Sequence, residues 1–166
     1  MNKKIIALVL VFALALCAVY ASTSGTSKKN AFSVGIGLGT NSGVALKYGV
    51  GKFDVQANVG VAIKNSNFFF SGDVGAFYDI YDINFNTGAL TKTQTISITT
   101  GPVVGLNVQN GLLGLDGVWT IGAEYTFGKV PVTMFLKLGG GVSLVFADSV
   151  NLGPTFYGVL GAVYTF

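Results

Sequence analysis

The chain contains no histidine and no arginine, and its one cysteine is Cys17. Without histidine it lacks the commonest general base and a leading metal ligand. Serine–histidine–aspartate catalysis is therefore not available. The acidic residues are single and scattered, with no calcium-loop spacing. Together these absences argue against an enzyme and against any cofactor or metal. Charged residues make up only 10%, against roughly 25% in an average soluble domain. Low charge beside 13% aromatic residues is the opposite of a disordered composition. Three prolines, and glycines that do not fall at every third position, exclude collagen. What the chain has in excess is glycine, at 24 residues, and apolar residues, at 51%.

The one long apolar run lies at the amino terminus. Lys3 and Lys4 precede uninterrupted apolar residues 5–19, followed by Val19-Tyr20-Ala21 and then Ser22-Thr23-Ser24-Gly25. A basic start, a short apolar run and small residues at Val19 and Ala21 are the parts of a secretory signal peptide. The run is short of the roughly 20 residues that a membrane span needs. Cys17 follows Leu16, where a lipoprotein signal wants a small residue, so it reads as part of the discarded leader. The expected organisation is residues 1–21 leader, 22–30 polar tail and 31–166 one domain. Removing the leader removes Lys3, Lys4 and Cys17. That leaves eight lysines against seven acids, a net of +1, and no thiol or disulfide chemistry. A charge so close to zero gives no support to nucleic-acid binding.

From residue 31 the chain alternates with a period of two, the signature of two-faced β-strands. In residues 130–146, Val130, Val132, Met134, Leu136, Leu138, Gly140, Val142, Leu144 and Phe146 fall on one face. Pro131, Thr133, Phe135, Lys137, Gly139, Gly141, Ser143 and Val145 fall on the other. Similar segments start near Phe32, Val44, Phe53, Asp73, Ile96, Trp119 and Phe156. Turn residues separate them at 41–43, 51–52, 65–67, 86–88, 110–111, 128–129 and 151–154, where Gly and Asn supply the positive φ of tight hairpins. The count is about eight strands in consecutive hairpins. The alternation slips within residues 79–95, where a bulge is expected. Gly35, Gly37 and Gly39 begin a phosphate-loop spacing, but no helix follows to bind an anion, so they read as close packing.

An alternating barrel can put its apolar face inward, in water, or outward, in lipid. The polar face here is mostly Gly, Ser, Thr and Ala, whereas a water-facing surface is roughly a quarter to a third charged. Aromatics also cluster near segment ends. Phe32, Tyr48, Phe53, Tyr125 and Phe127 fall toward one rim, and Phe69, Trp119, Phe146 and Phe156 toward the other. Two such girdles match the headgroup levels of a bilayer. Lys47, Asp54, Asp73, Asp79, Glu124 and Lys137 project from the polar face, and are expected to form a charge-neutralising network in the lumen. Across a hairpin turning at Gly51-Lys52, Asp54 faces Gly49, so Lys47 is its diagonal neighbour. A gating or proton-linked role for these charges is the other way to read them.

The last residues, Gly161-Ala162-Val163-Tyr164-Thr165-Phe166, pair an aromatic end with Tyr164 two before it and Gly161 three earlier. This resembles the terminal recognition motif of bacterial outer-membrane barrels. Over residues 31–166 the chain resembles the small eight-stranded barrels of the OmpA or OmpX type, although residues 41–43 and 64–67 leave little room for long external loops. The resemblance implies an up-and-down antiparallel transmembrane β-barrel in the outer membrane. It would be bound by lipid and inserted by the barrel-assembly machinery, as a monomer. The implied role is structural or at the surface, with at most minor small-solute passage. A soluble exported barrel binding an apolar ligand, as lipocalins do, is the alternative. If the terminal motif is read during insertion, deleting Phe166 leaves less protein in the membrane fraction. Undiminished assembly without Phe166 contradicts that reading.

Overall fold

A computed structural model describes residues 31–64, 67–85, 94–109, 112–127, 130–146 and 150–166. The expected leader with Cys17, Val19 and Ala21, and the polar tail, lie outside them. The described residues form eight strands: β1 (Phe32–Gly39), β2 (Ser42–Val50), β3 (Phe53–Lys64), β4 (Asn67–Phe85), β5 (Gln94–Gln109), β6 (Leu112–Thr126), β7 (Val132–Phe146) and β8 (Val150–Thr165). Each pairs antiparallel with its neighbours, and β8 returns to β1, so the sheet is a closed barrel. The all-β, up-and-down architecture expected from the alternation is the observed one.

The register fixes the tilt. A path of paired residues runs from Gly161 through Gly37, Gly43, Gly60, Ser71, Asn107, Gly114 and Val145. It returns to β8 at Asn151, ten residues from its start. Such a stagger is what a small barrel with strands tilted about 40° to its axis requires.

Inside and outside are assigned by parity along each strand. Large apolar residues of the outward row are exposed, among them Ile36, Leu38, Val104, Ile121, Leu138 and Leu160. The inward row carries the buried residues: Phe77, Phe135, Val103, Val118, Val159 and Val163, together with Gln56, Asn58, Asp73, Glu124 and Lys137. The filling alternates large with absent side chains. A Cβ on Gly161 would come within 2.4 Å of the Phe135 ring, and one on Gly75 within 2.4 Å of the Phe77 ring. Small residues there make room for the two rings that occupy the lower lumen.

The structure revises several sequence-based boundaries. Residues 151–154 are not a turn but part of β8, with Pro154 paired to Val142. The first hairpin turns at Thr40-Asn41, because Ser42 already belongs to β2. The irregularity within 79–95 is a register shift between Asp79 and Tyr81. Ile80 is the extra residue, and it returns Tyr81 to the outward face, opposite Ile98. Without it, strict alternation would send Tyr81 into the lumen. The β4–β5 ladder also skips Ala76 and Phe77, which lie across from Pro102 and Gly101. Pro102 has no N–H to give that ladder.

Candidate functional site

Four of the six expected lumen charges converge. Lys47 on β2 reaches across the second hairpin to Asp54 on β3, with Nζ–Oδ2 at 2.9 Å. That is the diagonal contact the register predicts, since Gly49 pairs with Asp54. The same ammonium crosses the lumen to donate to Glu124 on β6. Glu124 accepts a second charge-assisted bond from Lys137 on β7, at 3.0 Å. Lys137 is fully buried, at 0% exposure, and its Nζ stands 3.2 Å from the centroid of the Phe77 ring. Two lysines and two carboxylates thus neutralise one another across the lower lumen, with an aromatic face serving the deepest cation.

The other two charges do not join this network. Asp73 sits in a separate cluster of neutral donors. It accepts from Asn41 Nδ2 at 2.8 Å, Asn58 Nδ2 at 2.6 Å and the Tyr157 hydroxyl at 3.1 Å. Gln56 supports that cluster by donating to Asn58 Oδ1 at 3.2 Å. A carboxylate with several good donors needs no counter-ion beside it. Asp79 lies near the bulge, half-buried, with its Oδ1 unbonded among the described residues. A third polar group lies higher in the lumen. Asn107 donates to Asp116 and accepts from Ser71 Oγ at 2.6 Å.

Sequence reasoning missed the amides and Asp116. Gln56 and Asn58 stood on the inward row but carried no charge to single them out. Asp116 was overlooked because β6 was expected to begin near Trp119, and it begins at Leu112.

The aromatic residues sort unevenly. At the rim where β1 begins and β8 ends, Phe32, Tyr48, Phe53, Tyr125, Phe127, Tyr164 and Phe166 gather, and Tyr78 and Tyr81 join them. Ring contacts link Phe53 with Tyr78 at 5.0 Å, Tyr125 with Phe127 at 4.6 Å and Tyr164 with Phe166 at 5.2 Å. The second girdle is different from the one expected. Phe69 pairs with Ala62 on the inward row, so it faces the lumen, and Phe70 is the outward residue. Phe146 stands at the end of β7 as expected. Trp119 and Phe156 instead lie mid-strand, on either side of Gly140, because β6 and β8 start earlier than the alternation suggested. Of the terminal motif, Tyr164 and Phe166 face outward, while Gly161 is buried beside Phe135.

Among the described residues no three His, Cys, Asp or Glu side chains are grouped as metal ligands. The lower network holds charges in place; its carboxylates are already bound by lysines. The chain matches no family model, no curated protein and no solved structure.

Removing Lys137 leaves two carboxylates to the single ammonium of Lys47, and an uncompensated buried charge of this kind costs on the order of 3–5 kcal/mol, whereas replacing a whole pair by apolar groups is often neutral. Lys137→Met is therefore expected to lower unfolding stability in detergent micelles by about that amount. Lys137→Met combined with Glu124→Leu should recover much of the loss, because Lys47 keeps Asp54. Urea titration checks both, and an unchanged single variant removes the network from the account.

Proposed function

We propose that this chain is an outer-membrane β-barrel of the small eight-stranded type, with a structural or surface role and both barrel ends at the periplasmic rim. The observation that carries the reading is the inversion of faces: charged Lys137 is wholly buried while Phe156 is 80% and Trp119 64% exposed. Fully burying one such apolar side chain is worth about 1.5–3 kcal/mol. Thirty large apolar residues are exposed among those described. Left in water they would forfeit on the order of tens of kcal/mol, more than the whole stability of a typical domain, about 5–15 kcal/mol. A hydrocarbon solvent removes that cost, and the closed ladder leaves few backbone groups to satisfy there.

The rim aromatics support the same reading, as amphipathic rings at headgroup depth on the periplasmic side. The lumen does not favour a general porin. Phe77, Phe135, Lys137 and Gln56 fill its lower part and are almost inaccessible, which leaves at most a minor path for small solutes. The soluble lipocalin-like alternative needs an apolar interior for its ligand. This interior instead holds two lysines, several carboxylates and amides, which weighs against it. Lipid and the barrel-assembly machinery are then the partners, and a barrel closed within one chain is suited to a monomer.

Cell fractionation tests the proposal. The protein is expected in the outer-membrane pellet, to require detergent for release, and to migrate faster on gels before boiling than after. Recovery from the aqueous periplasmic fraction without detergent would contradict it.

A further inference from the structure

The barrel wall is not equally tall all the way round. The β1–β8 pairing stops at Gly39 opposite Val159, and β2 begins pairing with β3 only at Ser42 opposite Val61. Beyond those points β8 continues up to Val150 and β3 up to Lys64. With tilted strands, β1 and β2 end on the order of 10–20 Å below the rim that β3 and β8 reach. The notch has Thr40 and Asn41 as its floor. Thr40 finishes the ladder there: its N–H donates to Gly158 O at 2.8 Å, and its Oγ1 accepts from Gly158 N at 3.3 Å.

Above Gly158 the edge of β8 has no strand beside it among the described residues. Gly158 turns its backbone groups toward β1, and antiparallel pairing alternates. Phe156, Pro154 and Leu152 therefore turn theirs into the notch. Pro154 brings no N–H, and proline on a free edge blocks pairing with another strand. A second protein chain is thus a poor occupant. The surroundings are apolar: Phe156 and Leu152 are exposed on one side, Val61 and Phe70 on the other, and Leu38 below. Val104, Val142 and Phe146 continue the apolar exterior round the rest of the wall. The notch thus opens within the band proposed to meet hydrocarbon, where an unsatisfied sheet edge is not tolerated.

Behind it the lumen is polar and roomy. Asn41, only 3% exposed, leaves its Oδ1 without a partner. Asp73, Tyr157 and Asn58 lie beside it. A Cβ added at Gly153 would touch nothing within 4 Å. The charged side chains described in this upper lumen are Asp73 and Asp116, and Lys64 ends β3 at the rim above them.

We propose that the notch between β8 and β3 is a lateral binding site for a single-chain amphiphile of the outer leaflet. Its acyl chain lies against Phe156, Leu152 and Leu38. Its head passes over Thr40 and Asn41 into the upper lumen. The head donates hydrogen bonds and is not anionic, because it meets the Asn41 oxygen, the β8 carbonyls turned into the notch and two aspartates. This rests on the membrane reading above.

Single-cysteine variants of the mature chain in phosphatidylcholine vesicles test it. Thr155 and Ser143 both face the upper lumen, Thr155 on the strand that borders the notch and Ser143 on β7 behind it. Phe156 reports the lipid face. Each variant is labelled in parallel with a membrane-confined hexadecyl maleimide and with a water-soluble maleimide, each rate being read against the same variant unfolded in sodium dodecyl sulfate, where every thiol is reachable. Because labelling follows access, Thr155→Cys is expected to react nearly as fast as Phe156→Cys and about tenfold faster than Ser143→Cys. Dodecylamine should slow the reaction of Thr155→Cys, and dodecanoate should not. Fast Phe156→Cys with equally slow Thr155→Cys and Ser143→Cys overturns the notch and leaves the membrane reading standing. Phe156→Cys labelled fast by the water-soluble maleimide and slowly by the hexadecyl one overturns the membrane reading itself. Equal slowing by dodecylamine and dodecanoate overturns the assignment of the head.

Discussion

The pairing of β8 with β1 is the contact on which everything else depends. Seven antiparallel hairpin contacts would leave an open sheet with two unsatisfied edges. The eighth, from Ser33–Thr165 to Gly39–Val159, turns it into a wall. Once nearly all backbone polar groups are spent inside that wall, its outer surface is free to be apolar, and its side chains alone decide which solvent it meets. The same closure creates an interior too narrow for water to solvate charge freely. The lumen's composition follows from that confinement.

Two devices deal with it. Charge is cancelled locally, by Lys47, Asp54, Glu124 and Lys137, or is spread over neutral donors, as at Asp73. Volume is matched by placing glycine where a large ring must lie, as Gly161 does for Phe135. The result is a lower half that is packed and electrically balanced, beneath an upper half that is polar and more open. The short first hairpin adds an asymmetry to that upper half. It leaves part of the β8 edge without a neighbouring strand among the described residues, and Pro154 lies on that part.

Much of this was legible in the sequence, because a period of two is robust to small errors in strand ends. The alternation gave eight strands and the outward row, and the hairpin turn at Gly51 gave the Lys47–Asp54 contact across it. What failed were inferences that depended on where a strand starts. The alternation marks Trp119 and Phe156 as strand ends, because the residues before them alternate less cleanly, and both lie mid-strand. Phe69 was placed by its position along the chain and not by its parity, and parity puts it in the lumen. The separation of Asp73 from the ion pairs was hidden for another reason. It depends on amides and a tyrosine from β3 and β8, and on Asn41 in a turn, which only closure of the ring brings together. The notch likewise follows from comparing the heights of non-adjacent strands, which no local pattern records.

The central claim is that the outward face is solvated by hydrocarbon. Trp119 is the only tryptophan in the chain, lies mid-strand and is 64% exposed. Its fluorescence in reconstituted vesicles reports the surrounding medium directly. The account predicts strong quenching by lipids brominated on their acyl chains, and little by iodide added to the water. Efficient quenching by iodide with none by the brominated lipids would contradict it.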